Sequence, residues 1–251
     1  MTEAYYDEGG ITIYHADCRE VLPGLSGIGL VFTSPPYNLN GGGRTATGTD
    51  FKKLANGYAS YRDDMPPVEY VHWQQSVLRG CWDTLTDDGA IFYQHKPIGQ
   101  GLEVRLPLEL NPGLPLRQII IWDRSSGHIR TSTRYTPSHE WILVLAKERF
   151  RITTAAMTDV WRVPFGGFIS DEAMNDHPAP FPVKLPQRAI STTAADLVLD
   201  PFMGSGTTLV AAKACGRRAI GIEIEERYCE IAAKRLAQGV FDFAALDALD
   251  E

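Results

Sequence analysis

The segment Thr33-Ser34-Pro35-Pro36-Tyr37-Asn38 sets a hydroxyl, two ring-locked backbone positions and an aromatic ring side by side. Consecutive prolines carry no N–H groups, so carbonyls here can point into a cleft without a competing local donor. Ser34 Oγ and the Pro35 carbonyl could then accept both hydrogens of an amino group and localise its nitrogen lone pair. Tyr37 offers a flat face to a base taken out of its stack. Stripped of context, the same residues make a rigid turn and nothing more.

A second pattern, Asp200-Pro201-Phe202-Met203-Gly204-Ser205-Gly206-Thr207-Thr208, follows the apolar run Leu197-Val198-Leu199 and precedes an apolar helix pattern. A strand, a tight glycine turn and a helix N-terminus with open amides can receive a polar cofactor. No lysine follows the glycines, as a phosphate-binding loop requires, and the third glycine of a dinucleotide fingerprint is missing. Adenosylmethionine is the candidate that remains. About one βα unit later Glu223 ends the run Ala219-Ile220-Gly221-Ile222, where a carboxylate can accept both ribose hydroxyls. The plainer reading of Glu223 is a cap on the next helix.

These segments need a scaffold, and the rest of the chain supplies one. Ile11-Thr12-Ile13-Tyr14, Gly29-Leu30-Val31-Phe32-Thr33, Ala90-Ile91-Phe92-Tyr93, Gln118-Ile119-Ile120-Ile121-Trp122 and Trp141-Ile142-Leu143-Val144-Leu145 predict further strands. A short helix from Cys18 to Leu25 is expected between the first two. Pro66-Pro67 opens a helix in which Val68, Val71, Gln75, Leu78, Trp82 and Leu85 predict one buried stripe, and Asp87-Asp88-Gly89 ends that unit. A last helix carries Tyr228, Ile231, Ala232, Arg235 and Leu236 on one face and stops at Gly239. Short buried strands alternating with helices predict an α/β fold, a mostly parallel sheet with helices on both faces. Residues 40–65 and 124–138 read as long functional loops, and residues 151–185 are Pro- and Gly-rich without assignable pattern.

With 251 residues and 44% hydrophobic content, one large domain is expected. No apolar run approaches the ~20 residues of a membrane span, and the acidic start, Glu3, Asp7 and Glu8, does not resemble a signal peptide. The cytoplasm is the expected location. Cys18, Cys81, Cys215 and Cys229 form no C-x-x-C pair, and the histidines show no ligand spacing, so neither disulfides nor a metal are expected. Net charge is −7, yet Arg117, Arg124, Arg130, Arg134, Lys147, Arg149 and Arg151 face only Asp123, Glu140 and Glu148 in the same stretch. That local excess could form one DNA-facing side, or an ordinary solvated surface.

Together the two segments resemble the amino DNA methyltransferases of bacteria and their phages, which pair a D/N/S-P-P-Y/F/W motif with a glycine turn. The matching residues are Ser34-Pro35-Pro36-Tyr37 and Asp200-Pro201-Phe202-Met203-Gly204-Ser205-Gly206. The order, catalytic motif first, is similar to the beta subgroup. Further matches are Tyr58, Tyr61 and Asp63, His139-Glu140 opening a strand, and His177-Pro178-Ala179-Pro180-Phe181-Pro182 before the glycine turn. The resemblance implies a Rossmann-like, S-adenosyl-L-methionine-dependent methyltransferase domain over residues 1–251, circularly permuted in motif order. It implies that Asp17 binds the adenine amino group, with Cys18 beside it; a cap on the Cys18 helix is the plainer reading of Asp17. His177 and Phe181 would line the cofactor pocket, with the core as the plainer place for Phe181, and Lys184 would reach the methionine carboxylate.

The implied reaction is methyl transfer to an exocyclic amino nitrogen of a flipped base. Serine at position 34 leans towards cytosine N4 over adenine N6. Carbon-5 methylation is disfavoured because no cysteine follows a proline. Lys52, Lys53, Arg124, Arg130 and Arg134 are the expected DNA contacts, and residues 40–65, 124–138 and 151–176 the expected recognition loops. DNA is the implied partner, with a homodimer and a cognate restriction endonuclease as further candidates. A protein-glutamine or RNA methyltransferase, or a silent DNA-binding module, are the alternatives.

Overall fold

Every apolar run named above becomes a strand of one nine-stranded sheet in the computed structural model, which describes residues 2–38, 64–100, 103–125, 135–154, 157–164 and 181–237. The strands are β1 Tyr6–Glu8, β2 Ile11–His15, β3 Ile28–Thr33, β4 Leu85–His95, β5 Ile98–Gln100, β6 Glu103–Arg105, β7 Leu116–Asp123, β8 His139–Ala146, β9 Val160–Arg162, β10 Leu197–Asp200 and β11 Arg218–Glu223. The helices are α1 Cys18–Val21, α2 Pro67–Thr84, α3 Lys184–Ser191, α4 Thr207–Ala214 and α5 Glu226–Ala237. Sheet order is β1-β2-β11-β10-β3-β4-β8-β7-β9, with β5 and β6 paired apart. Only β1 and β8 run against the rest of the large sheet, so the mostly parallel expectation holds.

Helices cover both faces because the central strands are apolar on both. Leu30 and Phe32 of β3 pack towards α3, α4 and α5 through Leu185, Leu209 and Ala232. Ile28 and Val31 face α1 and α2 through Val21, Leu78 and Cys81. Strict alternation would put Ile28 with Leu30; a register irregularity between those residues breaks the parity. That irregularity also absorbs Asp87-Asp88-Gly89, which lies within β4 instead of closing a helical unit.

The stripe expected on α2 is rotated. Its buried residues are Tyr70, Gln74, Val77, Leu78, Cys81 and Thr84, while Val68 is 66% exposed. One residue is about 100° around a helix, so a pattern shifted by one position swings Val71, Gln75 and Trp82 to the half-buried flank. Two polar core residues explain the misreading. Gln74 and Thr84 are buried, with Gln74 accepting from the Tyr93 hydroxyl at 2.8 Å and Thr84 donating to the Cys81 carbonyl at 2.7 Å. Strands β1, β5, β6 and β9 had no apolar pattern to announce them. The stop of α5 at Gly239 lies outside the described residues.

From β10 the chain crosses through α4 on one face to β11; from β3 it crosses through α2 on the other face to β4. Connections leave adjacent strands in opposite directions, which opens a crevice at their carboxyl ends. No helix among the described residues is long and apolar enough to cross a membrane.

Candidate active site

Both motifs meet at that crevice. Residues 33 and 200, 167 apart in the chain, are joined by a hydrogen bond from Thr33 Oγ1 to Asp200 Oδ1 at 2.7 Å. Thr208 Oγ1 donates to Asp200 Oδ2 at 2.6 Å and the Phe202 N–H to Oδ1 at 3.1 Å. Burial pushes the Asp200 carboxyl up to about 6 even with these donors. Asp200 therefore ties the catalytic strand end to the glycine turn, and the cofactor contact expected of it is not on the cavity wall.

A cavity of about 520 Å³ opens at the carboxyl ends of β2, β3, β10 and β11, within the size range of small-molecule sites. Its wall includes Asp17, Cys18, Ser34, Pro36, Trp73, Pro201, Phe202, Gly204 and Glu223. The expected cofactor residues Asp17, Cys18, Pro201, Phe202, Gly204 and Glu223 thus come together. Glu223 is buried, and its oxygens accept from the Gly204 N–H at 3.0 Å and the Glu225 N–H at 2.8 Å. Burial raises its carboxyl from 4.5 to about 7. The cavity position is realised, and the Glu225 N–H that Glu223 holds lies just ahead of α5, so the carboxylate fixes the turn into that helix.

Asp17 has a similar double part. It caps α1 by accepting from the Arg19 N–H at 2.9 Å and pairs with the Arg19 guanidinium at 2.5 Å, which holds its carboxyl below the usual range. A carboxylate has lone pairs to spare for a further donor. Burial pushes the neighbouring Cys18 thiol up to about 12, so it serves as a small apolar wall.

The helix start behaves otherwise than expected. Ser205, Gly206, Thr207 and Thr208 are buried away from the cavity wall. Arg235 of α5 occupies this end of α4, donating to the Ser205 carbonyl at 2.6 Å and to its Oγ at 3.2 Å. Gly206 has φ +80° and a Cβ there would meet Ala232 Cβ at 2.8 Å. Its glycine serves helix packing, and the cavity lies on the Pro201–Gly204 side of the turn. Phe181 is also redirected: its ring packs 5.6 Å from Phe32 in the core on the α3 face. Lys184 opens α3 and is not on the cavity wall. His177, Lys52, Lys53, Arg130, Arg134, Tyr58, Tyr61 and Asp63 lie outside the described residues.

The catalytic segment borders two spaces. Ser34 and Pro36 line the large cavity, while Tyr37 and Asn38 line a second one of about 220 Å³, and Met65 borders both. Pro35 is buried. The Tyr70 hydroxyl donates to the Pro36 carbonyl at 2.7 Å, and Asn38 holds Met65 through a reciprocal pair at 2.8 and 2.7 Å. His95 packs 4.6 Å from the Tyr37 ring; burial drives its imidazole down to about 3, so it is neutral. The Tyr37 hydroxyl reaches Ser34 Oγ at 3.1 Å, Gln94 Oε1 at 2.9 Å and Glu140 Oε2 at 3.0 Å. Burial and the Glu140 carboxylate raise its pKa well above 10.

Arg124 is turned inward. Its guanidinium pairs with Glu140 at 3.3 Å and donates to the Pro137 carbonyl at 2.8 Å, with the side chain 18% exposed. Arg124, expected to contact DNA, is thus engaged with Glu140 and Pro137 of the chain itself. Trp73, Gln94 and Tyr70 carried no motif signal. Trp73 stands 5.5 Å from Phe202 and completes an aromatic wall; an unusually large residue off the buried stripe of α2 was the one available clue.

The chain is similar over most of its length to known DNA methyltransferases. M2.DpnII of Streptococcus pneumoniae, a type II methyltransferase, is 30% identical over 255 residues, covering 94% of this chain and 93% of that protein. The DNA adenine methyltransferase YhdJ of Escherichia coli is 26% identical over 90% of this chain and 82% of its own length. TTHA0409 of Thermus thermophilus, solved with S-adenosyl-L-methionine, shares the fold with a TM-score of 0.62 at 24% identity, covering 90% of this chain and 94% of that one. The family model described as DNA methylase, of the N6/N4 type, matches residues 28–234. On that match and on the kinship to M2.DpnII, this chain belongs to the N6/N4 DNA methylase family.

Proposed function

We propose that the chain transfers the methyl group of S-adenosyl-L-methionine to an exocyclic amino nitrogen of a base flipped out of DNA, cytosine N4 being the first reading. The observation that carries it is the position of Ser34 and Tyr37 on the two sides of one segment, between the large cavity and the smaller one. The cofactor fits the large cavity on chemical grounds: a buried carboxylate for ribose hydroxyls at Glu223, an acceptor at Asp17 for the adenine amino group, and the Phe202 and Trp73 rings. When bound, it supplies an already activated methyl group. The chain's part is then positioning.

Ser34 Oγ and the Pro35 carbonyl hold the two amino hydrogens, and the Tyr37 ring receives the extruded base. Unstacking costs a few kcal/mol, offset by that ring and by phosphate contacts assigned to Lys52, Lys53, Arg130 and Arg134. One domain over residues 1–251 performs this reaction, with recognition loops at 40–65, 124–138 and 151–176. Kinship with a type II methyltransferase supports a restriction endonuclease of matching specificity as partner in the cell. Adenine N6 is the second reading, favoured by the similarity to YhdJ.

Incubation with labelled S-adenosyl-L-methionine and DNA, followed by nucleoside mass spectrometry, tests the proposal. N4-methylcytosine is expected; N6-methyladenine moves the assignment to the second reading, and 5-methylcytosine or unmodified DNA refutes both. Ser34→Ala and Tyr37→Ala should each suppress transfer while cofactor binding survives.

A further inference from the structure

Hydrogen-bond donors and acceptors around Tyr37 can be assigned one by one, starting from Glu140. This carboxylate opens β8, is buried, and is paired with Arg124 at 3.3 Å. An ionised carboxylate only accepts. Gln94 Nε2 donates to Glu140 Oε2, which orients the Gln94 amide and leaves its Oε1 towards Tyr37 at 2.9 Å. Reversing that amide would set its oxygen against the carboxylate. The Tyr37 hydroxyl thus meets two acceptors, Gln94 Oε1 and Glu140 Oε2, and its one proton goes to them. Its oxygen must then receive from the remaining neighbour, Ser34 Oγ, at 3.1 Å.

The consequence falls on Ser34, whose side chain lines the large cavity. Its single proton is committed inward to Tyr37, so only lone pairs face the cavity. We infer that Glu140, anchored by Arg124, is a positioning residue that fixes the direction of the Gln94, Tyr37 and Ser34 hydrogen bonds and makes Ser34 an acceptor for the substrate amino group. This rests on the methyl-transfer reading above. A serine free to rotate would present donor and acceptor alternately, and a donor opposes an amino N–H. A buried carboxylate held by a partly exposed arginine, removed from the substrate, thereby does for serine what an acceptor-only aspartate would do by itself. It also accounts for an arginine that sequence position would assign to DNA but that is 18% exposed.

The test is a set of single-turnover methyl-transfer rates on duplex DNA for wild type, Glu140→Gln, Tyr37→Phe, Ser34→Ala and the two doubles with Ser34→Ala. Tyr37→Phe keeps the ring and leaves the Arg124 to Glu140 pair whole, so it remains informative if Glu140→Gln folds poorly. Each of these two variants should slow transfer about 10- to 100-fold, the range for losing one charge-linked hydrogen bond. Cofactor affinity and DNA KM should stay within about twofold, because these residues touch only the orientation of the acceptor. In the Ser34→Ala background neither change should slow transfer further, since both act through that hydroxyl. Full activity of Tyr37→Phe, or losses that multiply with Ser34→Ala, overturns the inference. Absence of transfer in the wild type overturns the methyl-transfer reading with it, which separates the two failures.

Discussion

If Glu223 holds the cofactor ribose as proposed, cofactor affinity should depend on pH. Burial lifts its carboxyl from 4.5 to about 7 in the free protein, and ribose hydroxyls hydrogen-bond better to the ionised form. A group titrating near 7 is about 90% ionised at pH 8 and about 10% at pH 6. If only the ionised form binds well, the apparent Kd for S-adenosyl-L-methionine rises about tenfold between pH 8 and pH 6, with uptake of ligand releasing protons below pH 7. The sign for stability follows from the same shift. The folded free chain holds the proton more tightly than the unfolded one, so it loses stability as pH climbs from 4.5 to about 7, about 3 kcal/mol in all. Calorimetric titration in two buffers of different ionisation enthalpy measures affinity and proton release together. Glu223→Gln should bind about tenfold more weakly at pH 8 and lose the pH slope. A flat wild-type profile from pH 6 to 8, or an unchanged slope in Glu223→Gln, refutes the assignment.

Gly206→Ala should cost about 2–3 kcal/mol, because φ is +80° and the new Cβ would stand 2.8 Å from Ala232 Cβ; a urea midpoint within error of wild type would show that α5 yields freely. Asp200→Ala strips the acceptor from Thr33, Thr208 and the Phe202 N–H. A destabilisation of about 3–5 kcal/mol is expected, together with weaker transfer, and unaltered thermal unfolding and activity would contradict its linking part. Neutralising Lys52, Lys53, Arg130 and Arg134 should weaken DNA binding across all sequences and flatten its salt dependence by roughly one unit for each phosphate no longer neutralised, as read by fluorescence anisotropy. Neutralising Arg124 alone should leave that salt slope in place.

Local chemistry was written in the chain. Two prolines and a tyrosine after a buried strand, and two glycines after another, named both halves of the site because rigid turns and glycine turns are properties of consecutive residues. The apolar runs at 28–33 and 197–200 likewise announced buried parallel strands, since burial on both faces leaves no alternation to confuse the reading. What pairs across the fold was not legible. No spacing rule brings Thr33 to Asp200, Trp73 to Phe202, or Glu140 to Tyr37, because those pairings follow from strand order and helix rotation. The same holds for exposure: Arg124 in a polar stretch reads as a surface cation until the sheet sets Glu140 beside it. For Phe181 the sequence leaves pocket and core both open, and the fold sets its ring against Phe32 in the core on the α3 face. Sequence determined which residues could do the chemistry; the tertiary structure decided which of them face the cavity, because facing is a relation between elements and no single segment contains it.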